Sequence, residues 1–498
     1  MNLLIRADAN AKIGIGHVMR CLALAQSWKE RGGQATFITA CESEGLRRRL
    51  SDVGFQVITL ERSYPDPADW EITSQVLTAH SDAWVVLDGY HFDPAYQCQI
   101  KEAGHRLLVI DDMAHLDHYY ADVVLNQNIH AEQLHYSCEP YTQLLLGTQY
   151  VLLRREFLKW QGWKPEIPEV ARKVLVTLGG GDPDNVTLKV IQALRRVEVD
   201  ELEAVVVVGE SNPHYEELES AVQNSRVPVR LESSATNMPE LMAWADVAIA
   251  AGGSTSWELA FMGLPNLILV LADNQRTVAE RLDTVGVAVS LGWHKNLSPA
   301  ELGRAVTHLL ATTRKRAEMA QRGRQLVDGE GVTRVLMHIK GKTLRLRQVC
   351  EDDCSLLWEW ANDPDVRAVS FSAEPIPWEH HVQWFKSKLN DPNCFFYVAL
   401  DSEGVPVGQV RYDIDGNQTV IAVSIDQKFC GKGYGSAAIW LASQELFGAS
   451  NIDMIHAYVK RGNEASARAF MKAGFRDMGI TTVREHQAIH LALRRDQL

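Results

Sequence analysis

Short apolar runs alternate with helical patterns along the first two thirds of this chain. Residues 3–5, 35–38, 84–87, 107–110 and 123–125 are almost unbroken apolar runs, and 18–28 has an amphipathic helical pattern. Such runs mark strands buried on both faces of a parallel sheet. A second series follows at 174–178, 204–208, 227–231, 247–250, 267–270 and 288–291. The stretch 159–168, with its Gly, Pro and Trp residues, reads as the hinge between the two series. Two doubly wound halves place a ligand in the cleft outside the carboxyl ends of their strands.

The pattern changes near 338–342. A strand at 343–347 and a Trp-bearing helix at 356–362 precede strands of antiparallel character at 395–400, 407–412 and 419–425. A helix at 436–447, a strand at 454–459 and a helix at 464–473 complete the unit. No internal repeat or low-complexity tract is present, although the first two parts share a topology. The predicted division is 1–158, 169–339 and 343–498, within the roughly two to four domains that this length allows.

Composition narrows the function classes. Apolar residues make up 46% and charged ones 23%, and the net charge of −13 argues against nucleic acid or an anionic membrane as partner. No window has the length of a membrane span, and the N-terminus lacks a basic segment followed by an apolar signal core. A cytoplasmic protein is therefore the expectation. The eight cysteines are scattered without a Cys-x-x-Cys pair and read as reduced, mostly buried thiols. His130 and His135 are spaced i, i+5, not the i, i+4 of a zinc helix, so no metal is expected. Oligomeric state is not legible.

The chemistry gathers at glycine-rich turns. Gly14-Ile15-Gly16-His17 joins the first strand to the first helix, where backbone N–H groups can approach an anion. Histidine moves protons near neutral pH. On spacing alone, a catalytic His17 and a structural turn with an incidental histidine both remain open, and the third glycine of a dinucleotide fingerprint is missing. Gly252-Gly253-Ser254-Thr255 follows the strand at 247–250 in the same way, and Glu258 lies in the next helical turn. That carboxylate either accepts ribose hydroxyls or complements the helix dipole. Asn274 and Gln275 end the following strand with amides facing the cleft. The turn Gly179-Gly180-Gly181-Asp182-Pro183-Asp184-Asn185 is either a third phosphate cradle or a tight turn with an N-cap.

Taken together, these motifs resemble the UDP-sugar hydrolases of pseudaminic acid synthesis, which remove UDP from UDP-2,4-diacetamido-2,4,6-trideoxy-β-L-altropyranose and share a fold with the lipid-linked UDP-N-acetylglucosamine transferase of peptidoglycan synthesis. The resemblance spans 1–339. It implies two Rossmann-like domains of glycosyltransferase-B type, with His17 as the base that activates water. Gly14 and Gly16 would line the UDP-sugar site, and Gly252, Gly253, Ser254 and Thr255 would hold the phosphates. Glu258 would hold the ribose, and Asn274 and Gln275 would touch the sugar. In Asp88-Gly89-Tyr90-His91, where the family implies Asp-x-Tyr, His91 is a second proton carrier, read as a surface or supporting residue.

A third glycine-rich loop, Cys430-Gly431-Lys432-Gly433-Tyr434-Gly435-Ser436, lies between the strand at 419–425 and a helix rich in small residues. Its backbone amides suit a pyrophosphate. With Asn463-Glu464-Ala465-Ser466 and Lys472-Ala473-Gly474-Phe475, it resembles the Gcn5-related N-acetyltransferases (GNAT) over 343–493. That resemblance implies an α/β domain binding acetyl-CoA as cosubstrate, its pantetheine along Val423 and Ile425 and its pyrophosphate on Gly431, Lys432, Gly433, Tyr434, Gly435 and Ser436, with Asn463 in the same site. Two positions depart from the family. Cys430 replaces the usual Arg or Gln, and Phe470 stands where a Tyr commonly protonates the thiolate, leaving water, Tyr458 or Tyr434 for that role. Trp358, Trp360, Trp378 and Trp384 read as core. His380 and His381 read as solvated surface, with deprotonation of an incoming amine as the alternative role for either.

The resemblances imply one polypeptide acting twice in one pathway. It would acetylate the 4-amino group of a UDP-4-amino-4,6-dideoxy sugar and then hydrolyse the UDP-linked diacetamido sugar. Two alternatives stand beside this reading: a UDP-sugar glycosyltransferase with an accessory acetylating domain, and a hydrolase with a non-catalytic acetyl-CoA sensor.

Overall fold

The computed structural model describes residues 2–10, 14–179, 182–209, 212–233, 235–339, 344–401, 404–431 and 433–495. Lys432, Gly180 and Gly181 therefore lie outside the described residues. The chain divides into two compact units, Met1–Leu336 and Met337–Leu498.

The first unit holds two parallel sheets. One comprises β1 (Asn2–Ala7), β2 (Gln34–Thr39), β3 (Gln56–Thr59), β4 (Trp84–Asp88), β5 (Arg106–Ile110), β6 (Val123–Asn126) and β7 (Gln143–Leu146), in the order β3-β2-β1-β4-β5-β6-β7. The other comprises β8 (Lys173–Thr177), β9 (Glu203–Val208), β10 (Val229–Ser233), β11 (Val247–Ala251), β12 (Asn266–Val270) and β13 (Val289–Trp293), in the order β10-β9-β8-β11-β12-β13. All residues of β4, β11 and β12 are buried, which is why these strands read as unbroken apolar runs. In each sheet the strand order reverses beside the first strand, between β1 and β4 and between β8 and β11. Crevices at such reversals, outside the carboxyl ends, are where open α/β sheets bind ligands.

The second unit is built on one mixed sheet of β14 (Arg345–Gln348), β15 (Cys394–Leu400), β16 (Pro406–Asp415), β17 (Gln418–Ile425), β18 (Met454–Lys460), β19 (Arg476–Val483) and β20 (His486–Arg494). Its order is β14-β15-β16-β17-β18-β20-β19. All pairs are antiparallel except β17 with β18. That parallel pair is short: it runs through Gln418↔Met454, Thr419↔Ile455 and Val420↔His456. Beyond it β17 continues to Ile425 against β16, and β18 continues to Lys460 against β20. The two strands thus part company in mid-sheet.

Alternate residues of these strands face two layers. Ile421, Ile455, Ala457, Val459 and Leu491 enter one core with Ala438, Ile439 and Ala442 of the helix Tyr434–Ala449. Phe396 and Val398 enter the other with Leu357, Trp360 and Phe385. Here two expectations are corrected. Trp378 is 42% exposed, not core, and His381 is buried, its Nε2 paired with the Cys354 carbonyl at 3.0 Å. Of the histidine pair, only His380 is exposed.

Candidate active sites

Two loops, one from each sheet of the first unit, face one another. The first follows β1 and enters α1 (Gly16–Glu30); the second follows β11 and enters α2 (Thr255–Met262). A Cβ added to Gly16 would lie 3.6 Å from Ser254 Oγ. Between them is a cavity of about 500 Å³ lined by Gly14, Gly16, His17, Gly252, Gly253, Ser254, Thr255, Glu258, Asn274 and Gln275. Every residue that the first resemblance assigned to the UDP-sugar site lines this one cavity.

His17 stands on the first turn of α1, and its Nδ1 is 2.6 Å from Asp88 Oδ1 at the carboxyl end of β4. An unprotonated Nδ1 at that distance would set a lone pair against a carboxylate, so Nδ1 carries the proton and donates it. The lone pair then resides on Nε2, which has no protein partner among the described residues. Arg20, one helical turn on, donates to both Asp88 oxygens at 2.6 Å and to both Asp112 oxygens at 2.9 and 2.7 Å. Tyr90 OH donates to Asp112 at 2.8 Å, and its ring meets His17 edge-on at 4.9 Å. Burial alone would raise the Asp88 carboxyl, but the Arg20 guanidinium and the hydrogen bonds from Arg20 and His17 outweigh it and hold the group well below the carboxylate range. The result is an imidazole whose tautomer and orientation are fixed by a permanent anion.

The opposite loop presents donors. In α2, Ser256 N–H and Trp257 N–H donate to the Gly253 and Ser254 carbonyls. The N–H groups of Gly253, Ser254 and Thr255 have no acceptor among the described residues, as at an uncapped helix start. Gly252 sits in tight space: a Cβ there would lie 3.1 Å from both the Cβ and the carbonyl oxygen of Gln275, so the Gln275 segment would have to give by a few tenths of an ångström. Gln275 Oε1 accepts from Leu271 N–H at 3.0 Å, and Asn274 Nδ2 reaches Tyr90 OH at 3.5 Å.

Glu258 has a partner that the sequence did not announce. Arg154 donates to its Oε1 from Nε at 3.2 Å and from Nη2 at 2.8 Å. Asp182 takes the capping side of its alternatives, accepting from Val186 N–H and Thr187 N–H at 2.8 Å each. His91 lies outside the cavity lining. Its Nε2 is 2.9 Å from Asp8 Oδ2, within a buried cluster in which Arg6 pairs with both Asp8 and Asp69.

Sequence reasoning missed Arg20, Asp112 and Arg154. A signal existed for the first two. Arg20 is three residues after His17 on one helix face, and Asp112 follows the carboxyl end of a buried parallel strand, as Asp88 ends another. Nothing local marks Arg154.

In the second unit, β17 leads through Gly431 and Gly433 into the helix Tyr434–Ala449. Both glycines have positive φ, +71° and +86°, with open space where a Cβ would stand, so conformation and not crowding requires them. Gly435 lies close to Ile425 and Ala469, and Ser436 Oγ donates to the Gly433 carbonyl at 3.1 Å. Val423 and Ile425 lie on the stretch of β17 that has left β18, where one edge of the strand is open to an extended ligand. Asn463 caps the helix Glu464–Lys472, accepting from Ser466 N–H at 3.1 Å. The open strand edge and the uncapped helix start fit a pantetheine and a pyrophosphate. Phe470 is buried against Phe475.

Residues 343–476 match the acetyltransferase (GNAT) domain, and residues 174–330 match the glycosyltransferase family 28 C-terminal domain. The glycosyltransferase match thus falls on the second parallel sheet of the first unit, and the GNAT match on the mixed sheet of the second unit. Over 491 residues it is 23% identical to an uncharacterized protein of Methanocaldococcus jannaschii, covering 96% of this chain and 97% of that one. It is 26% identical to the spore coat polysaccharide biosynthesis protein SpsG of Bacillus subtilis, covering 67% of this chain and 96% of that protein. It is 24% identical to the UDP-2,4-diacetamido-2,4,6-trideoxy-β-L-altropyranose hydrolase of Campylobacter jejuni, covering 58% of this chain and 98% of that enzyme. Both family matches are to enzyme domains. No helix among the described residues is long and apolar enough to cross a membrane.

Proposed function

We propose that this chain is a UDP-sugar hydrolase fused to an N-acetyltransferase, acting in sequence on one nucleotide sugar. The C-terminal unit acetylates the 4-amino group of a UDP-linked 4-amino-4,6-dideoxy sugar. The N-terminal unit then hydrolyses the UDP-diacetamido-trideoxy sugar to UDP and free sugar, a step of pseudaminic acid synthesis. The observation that carries the hydrolase reading is His17: Nδ1 is tied to a buried anion and the Nε2 lone pair is uncommitted, beside a cavity whose far wall offers free amide donors. The Campylobacter relative, named for this hydrolysis, supports the substrate.

In the hydrolytic step His17 Nε2 takes a proton from water, and Asp88 stabilises the imidazolium that forms. The amides of Gly253, Ser254 and Thr255 hold the charge that develops on the departing diphosphate. Arg20 keeps Asp88 ionised and in place. In the acetylation step, Gly431, Gly433 and the helix start after them hold a pyrophosphate, and the open edge of β17 orients the pantetheine arm. Acetyl-CoA, when bound, supplies the activated acetyl group. No metal takes part in this reading.

Mass spectrometry of products from a panel of UDP-4-amino sugars, with and without acetyl-CoA, tests the proposal. An acetylated UDP-sugar followed by UDP and a free diacetamido sugar is expected; no turnover of any panel member overturns it. The match of 174–330 to a glycosyltransferase domain favours a second reading, sugar transfer to an acceptor. The same assay separates the two, because a transferase releases UDP only when an acceptor is supplied.

A further inference from the structure

The sheet face of the second unit that lies opposite the helix Tyr434–Ala449 carries polar groups that the proposed chemistry has not used. Ser424 on β17 is directly paired with Gln409 on β16, and both side chains are on this face. His456 on β18 pairs with Val420 at the last rung before β17 and β18 part, and its side chain shares the face. Ser424 Oγ, Gln409 Oε1 and His456 Nε2 are all buried and without a hydrogen-bond partner among the described residues. Buried polar atoms are almost always paired, so three orphans on three adjacent strands need an explanation.

A second observation concerns the histidine. His456 Nδ1 is 2.9 Å from His490 Nε2 on β20, and the imidazoles stack at 5.1 Å. Tyr458 lies directly across from His490 and stacks on it at 4.9 Å. The ring of His456 is thus held by a partner on one nitrogen while the other has no hydrogen-bond partner among the described residues. Burial, with the neighbouring His490 acting the same way, lowers its proton affinity and favours the neutral, basic form at pH 7.

We propose that this face is the acceptor-amine site, that His456 Nε2 is the base that deprotonates the incoming ammonium, and that His490 relays the proton outward. The inference rests on the acetyl-transfer reading above and names its acceptor site. Ser424, four residues along β17 from the rung that His456 shares, and Gln409 paired with it take polar groups of the sugar nucleotide away from the amine. The step balances as follows. The ammonium gives one proton to His456 Nε2, and the Nδ1 proton moves to His490 and on to solvent. The freed nitrogen lone pair forms the C–N bond to the thioester carbonyl, the C–S bond breaks, and the second nitrogen proton goes to the departing thiolate. His456 takes over the function that His381 cannot serve with its Nε2 committed to a carbonyl.

The test uses the full chain, acetyl-CoA and UDP-2-acetamido-4-amino-2,4,6-trideoxy-β-L-altropyranose, with acetylated product followed by mass spectrometry. His456→Ala should lower kcat by about 10²–10⁴-fold with acetyl-CoA KM unchanged, the range for a positioned general base. Added imidazole should restore at least tenfold of that loss in His456→Ala, but not in His456→Gln, whose side chain fills the space. Thermal melts of both variants report folding, and imidazole rescue itself requires a folded site. Acetylation by His456→Ala within fivefold of the unchanged chain, or a deep loss that imidazole does not relieve, overturns the inference while leaving the acetyl-transfer reading in place. An unchanged chain that acetylates no nucleotide-linked amine overturns both.

Discussion

Arg154 holds Glu258 by two hydrogen bonds to a single oxygen, Oε1, at 3.2 and 2.8 Å. The other oxygen has no protein partner among the described residues, although Glu258 lines the cavity. A helix-dipole role needs no such arrangement. A ribose-binding role does, because an anchored carboxylate loses little freedom when it accepts hydroxyls. Glu258→Ala should therefore weaken UDP binding by about 1.5–3 kcal/mol, the worth of hydrogen bonds to a charged group. Calorimetric titration with UDP checks this. Unchanged affinity with about 0.3–1 kcal/mol of lost stability would leave only the dipole role.

The two histidines of the first unit should separate cleanly. His17→Ala removes the one imidazole that lines the cavity among the described residues, and UDP release should fall by about 10²–10⁴-fold with UDP affinity nearly intact. His91 spends Nε2 on Asp8 and lies outside the lining, so His91→Ala should stay within tenfold of the unchanged chain. Steady-state UDP release measures both, and a larger loss for His91→Ala than for His17→Ala would reverse their roles.

Acid stability follows from the buried carboxylates behind this site. Burial works to raise Asp8, but hydrogen bonds from His91 and Arg6 win, bringing it from 3.8 to about 2. Between those values the unfolded chain binds more protons than the folded one. The stabilisation is therefore complete above the ordinary value and is lost as pH falls through about 2. Asp88, held low by Arg20 and His17, acts in the same direction. Urea unfolding at pH 5, 4 and 3 should show stability falling with pH, and Asp8→Asn should flatten that fall. An Asp8→Asn slope identical to that of the unchanged chain would remove Asp8 from the account.

How much of this was legible depended on whether a residue's partners are local. The strands buried on both faces announced themselves, and so did the loops with Gly16-His17 and Gly252-Gly253, since turn chemistry and helix start are written in adjacent residues. Strand β19 did not. It is an edge strand exposed over most of its length, so no apolar period marks it. Its hairpin with β20 turns through Arg484 and Glu485, both at positive φ, without the Asn-Gly that normally signals such a turn. Arg154 and Glu258 are 104 residues apart and meet only when two separately folded sheets face each other. The pairing of His456 with His490 likewise exists only through strand register.

The fusion predicts that acetylation gates hydrolysis. A cavity that accepts two acetamido groups leaves polar partners unmatched when the 4-position carries an ammonium, and each buried unpaired group costs about 1–3 kcal/mol. With the UDP-4-amino sugar alone, UDP release should be slow; adding acetyl-CoA should yield CoA first and UDP afterwards. Gly433→Val isolates the first step. At φ +86° a β-branched residue is strained, which should distort the pyrophosphate loop and abolish acetylation. Hydrolysis of the pre-acetylated substrate should continue at the original rate, because His17 and its cavity belong to the other compact unit. Time courses of CoA and UDP from one reaction decide the matter. Equal UDP release with and without acetyl-CoA would sink the gated order even if both activities were present.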